Sequence, residues 1–202
     1  MTDPAFRIRL MEGRDIPTVV SLDRQVFADS WPESAFVQEI YFNPSAHYFV
    51  LELLDPRRAL TWHSVRRRRA AWLVGFVGMR VEGTRGHIST LAVLDEWRGR
   101  RLGEMLLLTA IDRAVRDGAQ SIGLEVRVSN AVAQALYAKY GFMQRSLIQR
   151  YYADGEDALY LQVALEGNPG YVPRVIGQLA ALGVELQLEL VLDAERRRVP
   201  EG

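Results

Sequence analysis

The 202-residue sequence contains no cysteine. Disulfide bonds, thiolate metal sites and a cysteine nucleophile are therefore excluded. No apolar run is long enough to cross a membrane, and the opening residues MTDPAFRIRLMEG carry charges where a secretion signal needs an apolar segment. These absences predict a soluble cytoplasmic protein that does not bind membranes.

An excess of charge is missing as well. The 25 Lys and Arg residues balance 25 Asp and Glu residues, and the pI is about 6.9. A general nucleic-acid-binding protein gains affinity by neutralising phosphates, so this balance argues against direct binding of nucleic acid. The three histidines, His47, His63 and His87, are too scattered to predict a metal site, and we interpret them as structural.

Two common phosphate-binding motifs, GxxxxGK[ST] and GxGxxG, do not occur. The sequence does contain an apolar strand that leads through R-G-R-R-L-G, Arg98 to Gly103, into a helix. The first turn of a helix has unpaired N–H groups and the positive end of the helix dipole. This junction therefore predicts a site for a phosphate group.

Apolar spacing along the chain predicts alternating strands and helices. Ser30, followed by Glu33, is typical of a capped helix start. Strands alternating with helices indicate an α/β layer structure with a mixed sheet. The predicted strands are 6–10, 47–54, 71–81, 85–94, 121–128, 142–150 and 158–165, and the predicted helices are 16–26, 30–43, 102–117 and 130–140.

Four further motifs follow the Arg-rich turn: LEVRVSN (124–130), ALY (135–137), YGF (140–142) and RYY…GEDA (150–158). Together with the turn, this order resembles the GNAT superfamily of acetyl-CoA-dependent N-acetyltransferases. The resemblance covers about Phe6 to Leu165 and is greatest to the bacterial ribosomal-protein alanine N-acetyltransferases of the RimI type. It implies the GNAT fold, in which helices flank a mixed central sheet. Arg101 stands where the [QR]-x-x-G-x-[GA] signature has its first glycine.

The resemblance also implies acetyl-CoA as co-substrate and no metal. Backbone N–H groups of the turn would hold the pyrophosphate, and the preceding strand would pair with the pantetheine arm and polarise the thioester carbonyl. A plain tight turn is the alternative reading of Gly99 and Gly103, and Asn130 also suits a helix N-cap. The implied cofactor-binding residues are Leu91, Ala92, Val93, Arg98, Gly99, Arg100, Arg101, Leu102, Gly103, Glu104 and Asn130.

Acetyl transfer to an amine needs a base for the amine and an acid for the departing thiolate. By resemblance, Glu125 is the general base and Tyr137 is the acid. A structural alternative exists for each residue. Glu125 would also suit a strand carboxylate paired with Arg127 or Arg145, and Tyr137 would also suit the packed face of an amphipathic helix.

Two segments, 27–31 and 150–157, correspond to the walls of the family's groove for an extended polypeptide N-terminus. The implied substrate-binding residues are Phe27, Trp31, Tyr151 and Tyr152, while Glu156 or Asp157 would attract a cationic amine. FADSW replaces the family's more usual F-P-W, so the resemblance does not define the pocket for the acceptor's side chain. The expected acceptor is a protein N-terminus, such as that of a ribosomal protein. A small-molecule amine is the alternative among enzymes, and a non-catalytic acyl-CoA sensor is the alternative outside them.

Residues 166–202 lie outside the resemblance, so we expect a GNAT domain over 1–165 and a C-terminal extension. Val172 to Leu182 has helical spacing, and alternation from Val184 to Leu190 predicts a strand. This added helix and strand would dock on the chain's own sheet or on a second copy in a homodimer. The basic insertion 56–69 carries Arg66 to Arg69, which we interpret as a solvated run rather than an RNA contact.

Overall fold

The computed structural model describes residues 5–54 and 72–192. The predicted insertion 56–69, with its Arg tract and His63, lies outside the described residues. Eight strands form one sheet in the order β6-β7-β5-β4-β3-β2-β1-β8. The strands are β1 (Phe6–Leu10), β2 (Ala46–Leu53), β3 (Leu73–Glu82), β4 (Arg85–Val93), β5 (Ser121–Arg127), β6 (Met143–Ile148), β7 (Ala158–Ala164) and β8 (Leu188–Val191). The helices are α1 (Ile16–Val26), α2 (Glu33–Val37), α3 (Leu102–Arg116), α4 (Ala131–Lys139) and α5 (Tyr171–Glu185).

The sheet has a hydrophobic core on each face, because side chains alternate along a strand. In β2, Tyr48 and Val50 pack under α1 and α2, whereas Phe49 and Leu51 belong to the core under α3 and α5. Strands buried on both faces read as continuous apolar runs, as β2 does. The predicted class, a mixed sheet flanked by helices with an additional C-terminal helix and strand, is confirmed.

Strands β4 and β5 separate part-way along their length. They pair in parallel only where Arg85–Ile88 lies beside Ser121–Leu124, although β4 continues to Val93 and β5 to Arg127. The register of β4 against β3 shifts so that Ser89 is an extra residue, which forms a β-bulge at the point of separation. The result is a gap in the sheet between the last residues of β4 and β5.

Two predicted starts are wrong by three residues or more. Helix α2 begins at Glu33, and Pro32 occupies its N-cap position without a side-chain hydrogen bond. Ser30 therefore does not cap this helix. The residue before a proline is held in extended backbone, which moves the helix start beyond Ser30. The strand predicted from Val184 begins only at Leu188, because α5 continues to Glu185.

The C-terminal segment packs against the rest of the chain through its strand and its helix. Strand β8 pairs in parallel with β1, and α5 lies against α3. Tyr171, at the start of α5, is buried and donates a hydrogen bond from its hydroxyl to the Tyr140 carbonyl (2.9 Å). Across the ranges 5–54 and 72–192, no helix is long and apolar enough to cross a bilayer.

Candidate active site

The open edge of β4 presents backbone groups to the gap. The Val93 carbonyl accepts a hydrogen bond from Arg98 Nε (3.2 Å), so it points away from β3. Because backbone groups alternate in direction along a strand, Leu91 faces the gap as Val93 does, and Ala92 faces β3. Of the three residues proposed to pair with a pantetheine arm, Leu91 and Val93 therefore have the suitable orientation.

The Arg-rich turn connects this edge to the first turn of α3. Gly99 and Arg101 both have positive φ, at 75° and 62°. The first helical hydrogen bond runs from the Met105 N–H to the Arg101 carbonyl (3.0 Å), so the N–H groups of residues 102–104 have no partner within the helix. A side chain at Gly103 would project towards Leu91 and Val93. The predicted anion donors and the open edge of β4 are thus neighbours.

The arginine side chains of the turn are engaged within the protein. Arg98 binds Asp95 (2.8 Å) in addition to the Val93 carbonyl, and the Arg100 guanidinium lies 4.8 Å from the centre of the Trp97 ring. Arg101 forms ion pairs with Glu104 (2.8 Å) and with Glu185 at the end of α5 (2.6 Å). Arg101, one of the implied cofactor-binding residues, therefore pairs with two carboxylates in this structure.

Glu104 connects the turn to α4. Its side chain is buried and accepts hydrogen bonds from Arg101, Lys139 and Tyr140. Burial raises the pKa of the Glu104 carboxyl, but these hydrogen bonds outweigh burial and lower the pKa to about 2. The predicted cofactor role of Glu104 therefore rests on its backbone N–H alone, since its side chain holds α3 and α4 together.

Glu125 pairs with His87 rather than with Arg127 or Arg145. The distance from His87 Nε2 to Glu125 Oε2 is 2.7 Å. His87 lies on β4 opposite Gly123, and alternation places it on the same face as Glu125. Ser89 Oγ lies 3.5 Å from the other ring nitrogen of His87. Histidine and carboxylate side chains are both groups that serve as general bases.

Sequence reasoning missed this role of His87. A signal was available, because two strands joined by a crossover helix pair in parallel and their residues alternate between faces. The register could not be read from the sequence, so the pairing of His87 with Glu125 needed the structure.

Tyr137, on α4, lies on the other face of the sheet. Its side chain is buried in the core under α3 and contacts the Phe142 ring at 5.8 Å. Burial raises the pKa of the Tyr137 hydroxyl to about 12. Within the described ranges, no hydrogen bond from this hydroxyl is found, so its proton is not committed to a protein acceptor. The side chain remains a neutral proton donor at physiological pH.

Glu125 and Tyr137 therefore lie on opposite faces of the sheet. Leu124 and Val126 belong to the core under α3, and alternation turns Glu125 towards the face that carries α1 and α2. A proton acceptor on one face and a proton donor on the other suit a transfer that takes place between β4 and β5.

Arg127 connects the two segments predicted to form the acceptor groove. It binds Asp29 in the α1–α2 loop (2.6 Å), and Asp154 (2.8 Å) and Glu156 (2.7 Å) in the β6–β7 hairpin. Its guanidinium also lies 3.8 Å from the centre of the Tyr152 ring. The Glu156 carboxylate also accepts a hydrogen bond from the Ser129 N–H, so it is already paired within the protein. Asp157 likewise accepts from the Arg150 N–H.

The four aromatic residues proposed for substrate binding occupy these two segments. Tyr151 is half exposed and meets Tyr152 edge-on at 5.0 Å. Phe27 and Trp31 pack partly against the core under α1 and α2. The Trp31 N–H donates to the buried Asp23 carboxylate (2.7 Å), which fixes the loop between the two helices.

Asn130 caps α4, since its side chain accepts a hydrogen bond from the Ala133 N–H (3.1 Å). Its contact with a cofactor stays a prediction. Among residues 5–54 and 72–192, no group of three or more His, Asp or Glu side chains is arranged to hold a metal ion.

Comparison with known proteins identifies relatives of this arrangement. The model of the acetyltransferase (GNAT) family matches residues 16–142. A Bacillus subtilis (strain 168) protein, provisionally named a ribosomal protein bS18-alanine N-acetyltransferase, is 33% identical over 159 residues, which are 78% of this chain and 95% of the relative. An N-alpha-acetyltransferase of Sulfurisphaera tokodaii is 31% identical over 168 residues, covering 79% of this chain and 92% of the relative.

Among solved structures, the ribosomal-protein-S18-alanine N-acetyltransferase of Escherichia coli superposes with a TM-score of 0.66 at 25% identity. The match covers 79% of this chain and 94% of that protein.

Proposed function

Because the chain belongs to the GNAT family of N-acetyltransferases, we propose that its acceptor is the α-amino group of a protein N-terminus, with a ribosomal protein as the first candidate. Two similar proteins carry names that specify this class of acceptor. A cytoplasmic location goes with this proposal, since ribosomal proteins are made and modified there. The observation that supports acetyl transfer is the gap between β4 and β5, together with Glu125 and His87 on one face of the sheet and Tyr137 on the other.

The site has the chemical groups that acetyl-CoA requires. The unpaired N–H groups of residues 102–104 suit the pyrophosphate, and the backbone of Leu91 and Val93 suits an extended pantetheine arm. Bound acetyl-CoA supplies the acetyl group as a thioester. A backbone N–H on the open edge of β4 would stabilise negative charge on the thioester oxygen.

Two side chains move the protons. An α-amino group has a pKa of about 8, so most of it is protonated at neutral pH and needs a base. Glu125, held by His87, takes a proton from the amine directly or through a water molecule, and the amine nitrogen forms the new bond to the acetyl carbon. The carbon–sulfur bond then breaks, Tyr137 gives its proton to the sulfur, and the extra proton on the new amide nitrogen passes to the Tyr137 oxygen directly or through water.

The alternatives differ in what the acceptor is. The test measures release of free thiol from acetyl-CoA with peptides that begin with Ala, Met or Ser, and with a polyamine and an aminoglycoside at equal concentration. The kcat/KM should be at least about tenfold higher for one of the peptides than for either small amine. Faster turnover of a small amine would replace the proposed acceptor, and tight CoA binding without turnover of any acceptor would indicate a sensor.

A further inference from the structure

The C-terminal helix contributes a charged side chain to the Arg-rich turn. Glu185, the last residue of α5, binds Arg101 Nη1 at 2.6 Å. The last turn of α5 lies against the first turn of α3, since a side chain at Gly183 would meet the Met105 methyl group. Residues from outside the matched family region therefore reach the segment whose N–H groups are proposed to hold the pyrophosphate.

Arg101 is held from two directions. Its Nε binds the buried Glu104, and its Nη1 binds Glu185, whose side chain is about half exposed. Its φ of 62° is a conformation that favours glycine, which is the residue that the resemblance expects at this position. The guanidinium thus lies at the start of α3, where the buried Glu104 holds its Nε and the exposed carboxylate of Glu185 binds its Nη1.

We infer that Glu185 sets the affinity for acetyl-CoA by competing with the cofactor's pyrophosphate for Arg101. This inference rests on the proposed cofactor site. A phosphate bound at residues 102–104 is a stronger partner for a guanidinium than an exposed carboxylate, because it offers more charge and several acceptor oxygens. On binding, Arg101 Nη1 passes from Glu185 to the phosphate, while Nε keeps its bond to Glu104. The loss of the Glu185 contact lowers the net affinity.

The test is titration calorimetry with CoA on the full-length chain. Glu185→Gln should tighten CoA binding about three- to fivefold at low ionic strength, because exposed ion pairs have strengths of this order. The difference should shrink at about 0.5 M salt, since salt screens exposed charges. In an Arg101→Gly background the gain should largely disappear, and glycine keeps the positive φ at that position.

Glu189→Gln is the matched control. Glu189 lies in the same extension and pairs with Arg7 at 2.7 Å, but on β8, so its loss removes the same charge without touching the turn. It should leave the CoA affinity within about 1.5-fold of the wild type. If the wild type binds CoA and Glu185→Gln binds it equally well or more weakly, the inference is overturned but the proposed cofactor site is not. Absence of CoA binding by the wild type would overturn both the inference and the proposed cofactor site.

Discussion

At the scale of single residues, Glu125 is expected to be the proton acceptor. Glu125→Gln keeps the shape of the side chain and a hydrogen bond to His87 while removing the basicity. We expect kcat/KM at pH 7 to fall by about 10²- to 10⁴-fold and to recover partly above pH 9, where the amine loses its proton without help. Rate profiles against pH with one peptide substrate measure this. Glu166→Gln, at an exposed position after β7, is the control. A wild-type rate for Glu125→Gln would make the Glu125–His87 pair structural.

Tyr137 is expected to act on a different proton. Tyr137→Phe should lower kcat by about tenfold or more without recovery at high pH, because its proton goes to the leaving thiolate. Since the pKa of Tyr137 is about 12, the wild type should lose no activity through this group up to about pH 10. CoA affinity, measured by calorimetry, should change less than about twofold. A recovery at high pH like that of Glu125→Gln would contradict the assignment.

At the scale of elements, Glu104 joins the start of α3 to the end of α4. A carboxyl group whose pKa is lower in the folded state than in the unfolded state stabilises the fold at every pH above the unfolded pKa of 4.5. This contribution is lost as the pH falls towards the folded pKa of about 2. Glu104→Gln should therefore lower the free energy of unfolding by about 2–3 kcal/mol at pH 7. The difference from the wild type should shrink between pH 4.5 and 2.

Urea denaturation at a series of pH values measures this difference. Glu82→Gln serves as control, because Glu82 pairs with Arg80 at an exposed position of β3. It should change the stability by less than about 0.5 kcal/mol. A difference for Glu104→Gln that is constant from pH 7 to pH 2.5 would show that the stabilisation does not come from the charged carboxylate.

The elements that could be predicted from the sequence are those with a clear period. Helix α1 has the predicted bounds, and α3 ends one residue before its predicted end. The tail was harder, because Val184 fits both a helical and an alternating pattern and only packing on α3 decides between them. Contacts between distant segments gave no local signal. The pairs of His87 with Glu125 and of Arg101 with Glu185 depend on strand register and helix docking.

At the scale of the whole molecule, the C-terminal segment completes the core. Four side chains of α5 are buried: Tyr171, Val175, Leu179 and Leu182. Burying each such side chain contributes about 1.5–3 kcal/mol. Truncation after Leu165 should therefore remove several kcal/mol of stability and lower the melting temperature by more than about 10 °C, or prevent soluble expression. A truncated chain with an unchanged melting temperature would contradict this role.

Two single substitutions test the same role in the full-length chain. Leu182→Ala should lower the free energy of unfolding by about 2–4 kcal/mol, because it leaves a cavity beside α3. Val184→Ala, two residues away on the exposed side of α5, should change it by less than about 0.5 kcal/mol. Equal effects of both substitutions on urea denaturation would mean that α5 does not pack as described.

The shared attachment of two surface loops to Arg127 constrains how this protein can diverge. Asp29 belongs to one loop, Asp154 and Glu156 to the other, and a single guanidinium binds all three. Replacing only one of these loops with a loop from another enzyme would change the number of carboxylates bound to that guanidinium. The position of the other loop would then be disturbed. Arg127 is also two residues from Glu125 on the same strand. Laboratory evolution of a new acceptor preference would therefore have to exchange both loops together.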